Sequence, residues 1–308
     1  MSSYLVRRIL SVIPSMLLVY TIIFALIHLT PGNPWDNLDK PFPPDVLQNL
    51  NAKYHLNDPL WKQYVDYLAQ VVTRFDFGPS FKRTLTANDI INLYFPVSLQ
   101  LGAVSFVLAV VVGVGLGIIS AVRQNTIIDH LAMFFSVFGV ATPSFVITTL
   151  MIVLFAVNFH LVPTSGWDGI LSTKIIIPAI ALALGPMAVI ARFARASILE
   201  TIRLDYVRTA RAKGLTAVRV ILRHALPNAL IPVVTIASVT LADLITGSFF
   251  VESICGVPGI GRYFVSTVQD RDYPVLMAVT LLYAVIIWVM NLVADMSYAA
   301  IDPRVRLQ

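Results

Sequence analysis

An all-α integral membrane protein with six transmembrane helices and both termini in the cytoplasm is what this 308-residue sequence predicts. Hydrophobic residues make up 57% of the chain and charged residues only 13%, with a mean hydropathy of +0.79, too apolar for one soluble domain with a wetted surface. Apolar stretches recur at about residues 9–30, 97–122, 131–157, 175–190, 229–251 and 275–300. Backbone amides cannot stay unpaired in lipid, so runs of this length are helices despite their interior Gly113, Gly115, Gly117, Pro143 and Pro186.

The first run follows Arg7 and Arg8 and holds 22 residues. As a helix it is about 33 Å long at 1.5 Å per residue, enough to cross the hydrocarbon. A signal-peptide core is shorter, and no small-x-small cleavage site precedes Pro31, so this is a retained transmembrane helix, residues 1–30. Residues 31–96 form a long outer loop with helical content. Asp58 and Pro59 read as an N-cap and first-turn pair before Leu60, Trp61, Tyr64, Leu68 and Val72, an amphipathic stripe that suits lipid headgroups, a partner or, as the first expectation, packing within the chain. The five remaining spans form a core over residues 97–302, with a tail at 303–308. In the second span the three alternate glycines sit inside an apolar run with no strand before it, which favours close helix packing over a nucleotide loop.

Lys and Arg set the orientation. With the N-terminus inside, the cytoplasmic segments hold 13 of the 22, and the short outer loops only Lys174, Arg262 and Arg271. The net charge of +5 and pI near 9.4 are therefore the basic inner edge of a membrane protein, and no nucleic-acid partner is expected. The single Cys255 allows no internal disulfide, and no Cys/His spacing suggests a metal site.

The loop at 192–228 carries eight Lys/Arg against Glu200 and Asp205. Residues 206–213 contain no helix breaker, Gly214 interrupts, and Thr216 is placed to cap a second stretch through Leu226. Val218, Ile221, Leu222 and Ala225 then fall on one face opposite Arg219 and Arg223. A basic amphipathic pair of this kind suits either the anionic inner leaflet or a protein partner.

Residue order distinguishes these. RTARAKG at 208–214, followed by LTAVRVILRHALPNALIP, resembles the EAA loop of ABC-transporter permease subunits, in which an alanine pair is followed by a glycine and then an apolar stretch ending in Leu-Pro. In that family the loop forms the coupling helix seated in a cleft of the nucleotide-binding subunit. The match puts Ala210 and Gly214 at the small-residue positions, with Thr209 in place of the first alanine and Arg208 in place of the glutamate. Arg208, Thr209, Ala210, Lys213, Gly214 and Leu215 are thus the ATPase-docking candidates the resemblance implies.

Further segments resemble the B-type permease of bacterial oligopeptide and dipeptide importers: YLVRRIL near the start, TPGNP at 30–34, AKYHLNDP at 52–59, FDFGPSFK at 75–82, YVRTARAKGL at 206–215, GVPGIG at 256–261, RDYP at 271–274 and DPRVR at 302–306. Their order and spacing together are specific. The resemblance implies a type I importer permease fold in the bacterial inner membrane, a heterodimer with a C-type permease, two cytosolic ATPases that bind ATP and Mg, and an extracytoplasmic peptide-binding protein. Peptides are the expected cargo; related permeases carry nickel chelates, glutathione or oligosaccharides.

No GxxxxGK[ST] segment is present, so the energy of transport is expected from partner subunits, and the chain itself to be non-catalytic, binding no cofactor. A secondary transporter would need ionisable groups near the midplane, yet only Asp243 lies clearly within a span. Asp243 is a candidate pathway residue for a peptide's amino terminus, or else an interhelical hydrogen-bonding group or a group in a water-filled pocket. An intramembrane hydrolase would need a nucleophile and base in spans that meet; His28, His130, His160 and His224 all fall at span ends or in loops, away from any GxSxG. Pro258, Gly259 and Gly261 impose a turn in the outer loop at 252–273 and are candidates for a gate or a binding-protein contact, or simply a connector.

Overall fold

The computed structural model describes residues 2–35 and 42–301. The tail at 303–308 and the DPRVR motif lie outside the described residues. The chain begins with α1 (Ser2–Leu29), and two short helices follow, α2 (Pro44–Lys53) and α3 (Leu60–Arg74). Next come α4 (Ala87–Val122), α5 (Ile127–Ala141), α6 (Ser144–Met151) and α7 (Ile176–Thr201). The second half holds α8 (Asp205–Ala212), α9 (Ala217–Val220), α10 (Leu226–Ile245), α11 (Phe249–Ile254), α12 (Gly261–Asp270) and α13 (Tyr273–Ile301). Five helical segments are long and apolar enough to cross a membrane: Leu10–Leu29, Ala87–Val122, Thr173–Thr201, Ala217–Ile245 and Tyr273–Met296. The sixth is a bent pair, Ile127–Ala141 with Ser144–Asn158, turned by 108°.

Local chemistry places each boundary, often away from the edge of the apolar run. The α4 helix starts ten residues before its run because Thr86 and Asp89 form a reciprocal capping box, the Asp89 N–H donating to Thr86 Oγ1 at 3.1 Å and the Thr86 N–H to Asp89 Oδ2 at 3.0 Å. At Pro143 the proline forces Thr142 into an extended conformation, which ends α5 and creates the bend. Residues 152–158 beyond α6 widen into a π-helical turn. The run at 229–251 is not one helix, since α10 stops at Ile245 and Gly247 turns the chain with φ +84° into the separate α11. Conversely α7 runs on to Thr201, so Arg192 and Arg195 are helical rather than part of a loop. Before α3, Pro59 rather than Asp58 holds the N-cap position, and Asp58 instead accepts from Lys62 Nζ at 2.7 Å.

The core is the packing of α4 on α7, flanked by α5, α10 and α13. One face of α4 is lined by small residues, Ser98, Gly102, Ser105, Ala109, Gly113 and Gly117, all buried. A side chain at Gly113 would meet Met187 O at 2.8 Å, and one at Gly117 would meet Ala191 O at 2.7 Å, so these positions let two backbones approach. The expectation for Gly115 was wrong: two residues from each it points away, with nothing within 4 Å. At one end of the bundle Asp129 accepts from Arg195 Nε and Nη2, both at 2.7 Å, and from Ser120 and the Asn125 N–H, tying α4, α5 and α7 together. The α1 helix docks on α13 in antiparallel fashion, with Arg8 and Asp295 paired at 2.7 Å at one end and His28 beside Tyr273 at the other.

Candidate functional site

Three regions hold the sequence-predicted residues. In the basic loop, α8 and α9 meet around a small apolar cluster of Val207, Ala210 and Val220, closed by Leu215. Ala210 is 6% exposed, so its small side chain serves the packing of α8 on α9 within the chain, and it offers no surface. Gly214 is exposed at φ +78°, a left-handed turn that glycine makes without strain. Arg208, Thr209 and Lys213 are exposed, and among the described residues the ion-pair contact of Arg208 is an exposed one with Asp205 at 3.6 Å.

The expected apolar face is split. Ile221 and Ala225 are buried, but Val218 and Leu222 are 66% and 53% exposed, and Val220 takes their place inside. The covered face is centred on Val220, Ile221 and Ala225 instead, and residues 221–225 form a widened π-helical turn. Thr216 occupies the N-cap position of α9 without a side-chain hydrogen bond. Tyr206 braces the loop against the next span, its hydroxyl donating to His224 O at 3.2 Å and accepting from Asn228 Nδ2 at 2.7 Å.

Asp243 lies on the exposed side of α10 and lines a 370 Å³ cavity with Thr142, Pro143, Ser144, Gly185 and Pro186. The bend at Pro143 opens this space by turning α6 away from α5. No ion-pair partner faces Asp243 among the described residues, so its carboxylate is available to a cationic group entering the cavity.

Gly259 and Gly261 are buried, and only the half-exposed Pro258 and the neighbouring Ser253, Ile254 and Gly256 reach the surface of that turn. The glycines make room for a carboxylate that composition and spacing did not single out. Glu252 is fully buried, and side chains at Gly247, Gly259 or Gly261 would fall within 3 Å of its oxygens. Ser98 Oγ donates to Glu252 Oε1 at 2.7 Å and accepts from the Ile260 N–H at 2.8 Å. The Ser248 N–H donates at 3.3 Å, and the N–H groups of Gly261 and Arg262 at the start of α12 also face the carboxylate. Burial nonetheless dominates and pushes its pKa above the usual carboxylate range. The sequence signal was an acid placed directly between apolar residues and a glycine-rich turn.

A second buried acid, Asp272, accepts from Ser80 Oγ, the Phe81 N–H at 3.0 Å and Arg83 Nη1 at 3.2 Å, fixing the 80–83 segment to the start of α13. No group of three or more His, Cys, Asp or Glu is arranged to hold a metal among the described residues.

This bundle of spans, with an ordered segment between α1 and α4 and an exposed basic helical loop, matches known proteins along its whole length. The family described as binding-protein-dependent transport system inner membrane component matches residues 113–307, and the N-terminal part of such membrane components matches residues 1–102. The chain belongs to this family. The permease is 42% identical to the dipeptide transport system permease protein DppB of Bacillus subtilis over 308 residues, 100% of this chain and 99% of that protein. It is 43% identical to the oligopeptide transport system permease protein OppB of Salmonella typhimurium over 307 residues, 99% of this chain and 100% of that protein. An inward-facing structure of the MetNI methionine ABC transporter superposes with a TM-score of 0.57 at 20% identity, covering 69% of this chain and 96% of that one. That likeness shows the type I importer permease fold. The permease is thus a multi-pass, non-catalytic membrane subunit of an ABC importer.

Proposed function

We propose that this permease forms half of the translocation path of an ATP-driven importer for oligopeptides or dipeptides in the bacterial inner membrane, with both its termini in the cytoplasm. Full-length identity of 42–43% to a dipeptide and an oligopeptide permease carries the reading. Its partners are a C-type permease, two cytosolic ATPases that bind ATP and Mg, and an extracytoplasmic peptide-binding protein. ATPase closure pulls on the loop around residues 208–226, and rigid rotation of the spans exposes the path to alternate sides. Asp243 in its cavity meets the peptide's amino terminus, and the turn around Pro258 lies at the outer gate.

The exposed side of the loop, not Ala210, is the docking surface: Arg208, Lys213 and Gly214 border it, and Val218 and Leu222 supply its apolar contact. Gly214→Trp would strain the φ +78° turn and so would not isolate docking. Leu222→Glu, on a 53% exposed position, leaves the fold intact. We expect it to abolish co-purification with the ATPases and to lower peptide uptake at least tenfold in vesicles. Unchanged uptake would remove the docking assignment, and uptake of nickel chelates but not peptides by the unmodified assembly would change the cargo.

A further inference from the structure

We infer that α3 is set into the outer leaflet of the membrane, with Trp61, Val65 and Val72 in contact with lipid acyl chains. The inference goes beyond the transport reading and needs only that the chain is membrane-embedded. It rests first on depth. The α1 span runs from Leu10 to Leu29, and Tyr20 lies at its middle, about 13 Å below Leu29 at 1.5 Å per residue. From the other end, Tyr20 is about 18 Å from Arg8, which pairs with Asp295, and so stands well inside a hydrocarbon layer of about 30 Å.

At that depth α1 holds α3. Tyr20 Oη donates to the Tyr64 carbonyl at 2.7 Å, Thr21 Oγ1 lies 2.8 Å from Tyr64 Oη, and Tyr67 stacks on Tyr20 with ring centroids 6.1 Å apart. Nearer the end of α1, Gln63 lies 3.3 Å from His28 Nε2, and Asp66 and Gln70 line a cavity with His28 and Tyr273. Helical side chains lean toward the N-terminus, away from the His28 end of α1, so Tyr20 does not lift its partner out of the bilayer.

The pattern around α3 supplies the second argument. At 100° per residue, Tyr64, Tyr67 and Leu68 form the arc packed on α1 and α13. Trp61, Val65 and Val72 form the arc beside it, 70%, 52% and 63% exposed. Lys62, Asp66 and Thr73 lie on the side away from Tyr64 and Leu68, Arg74 falls beside Tyr67, and Asp66 also borders a cavity with His28 and Tyr273. On α1, Leu18, Ile22 and Leu26 are likewise exposed within the span. A half-buried helix held against a span, with an uncovered apolar flank beside its packed stripe, is the arrangement of an interfacial helix.

The test uses single cysteines at Val65, Val72, Asp66 and Thr73 of the full chain, in a Cys255→Ser background and within the assembled transporter. Bimane attached at each position is read in vesicles of phosphatidylcholine brominated on its acyl chains, and a membrane-impermeant maleimide is applied from outside to unlabelled protein. We expect quenching at positions 65 and 72 but not at 66 and 73, and maleimide reaction at least tenfold slower at the first pair. Equal labelling of all four positions would overturn the inference by placing α3 in water. Protection of 65 and 72 without bromolipid quenching would overturn it by showing a protein cover.

Discussion

Glycines and acids that look like connector chemistry in one dimension are, in the fold, partners. Gly259 is buried with Glu252 Cδ, Glu252 Oε2 and Ser98 Oγ all 2.5 Å from where a Cβ would sit. Gly259→Ala should therefore destabilise the permease by about 1–3 kcal/mol, read as a lower unfolding midpoint in detergent, whereas Gly115→Ala, with nothing within 4 Å, should leave the midpoint unchanged or slightly higher. Glu252 also makes a pH-dependent prediction. Burial raises its pKa, so the folded state keeps the proton to higher pH than the unfolded chain does. Its contribution is fully present below the unfolded pKa and is lost as pH rises through the folded one. Glu252→Gln should flatten the fall in unfolding midpoint over that rise, while leaving the Ser98 contact in place. An unchanged slope would mean that the carboxylate is already ionised in the fold. Beyond an acid set between apolar residues and a glycine-rich turn, little of this was legible in sequence, because such a Glu has no periodicity and its partner Ser98 stands 154 residues away.

Elements were more legible than their ends. Six apolar runs predict six spans because lipid demands paired backbone over about 20 residues, and that demand is written into composition. Their boundaries answer to caps and turns: the Thr86–Asp89 box begins α4 early, and the bend at Pro143 breaks a run that composition shows as continuous. The split of Val218 and Leu222 from Ile221 was not legible because periodicity tells which residues share a helix face, not which part of that face the fold covers. The same scale holds the Asp129–Arg195 pair, which joins α5 to α7 with Asp129 only 2% exposed. Truncating Arg195 to Ala leaves that carboxylate buried with Ser120 and one N–H, and breaking such a pair costs about 3 kcal/mol. The drop should appear in detergent unfolding, and the double variant Arg195→Ala, Asp129→Ala should recover part of it. If the double variant were as unstable as the sum of both singles, the pair would not be coupled.

Across the whole molecule, the chain joins a packed α4–α7 core to three separated surfaces: the basic loop around α8 and α9, the cavity at the Pro143 bend, and the outer segment tied down by Asp272 and Arg83. One continuous helical segment links the first two, since the stretch from Ala217 to Ile245 carries Leu222 near one end and Asp243 near the other. Under the proposed mechanism a pull on the loop would reach the cavity wall with only the widened turn at 221–225 between them. The sequence shows both residues but not that one helix bears them, because its loop stretch ends at Leu226 and its next apolar run begins at 229, with Pro227 between, whereas Pro227 sits in the first turn of α10. If Asp243 meets the amino terminus of cargo in that cavity, then Asp243→Asn should raise the KM of the assembled transporter for peptides with a free amino group about tenfold with kcat nearly unchanged, and should leave uptake of N-acetylated peptides as it was. A carboxylate serving only to hold α10 against its neighbours would weaken both classes of peptide alike, and comparing the two uptake curves decides between the roles.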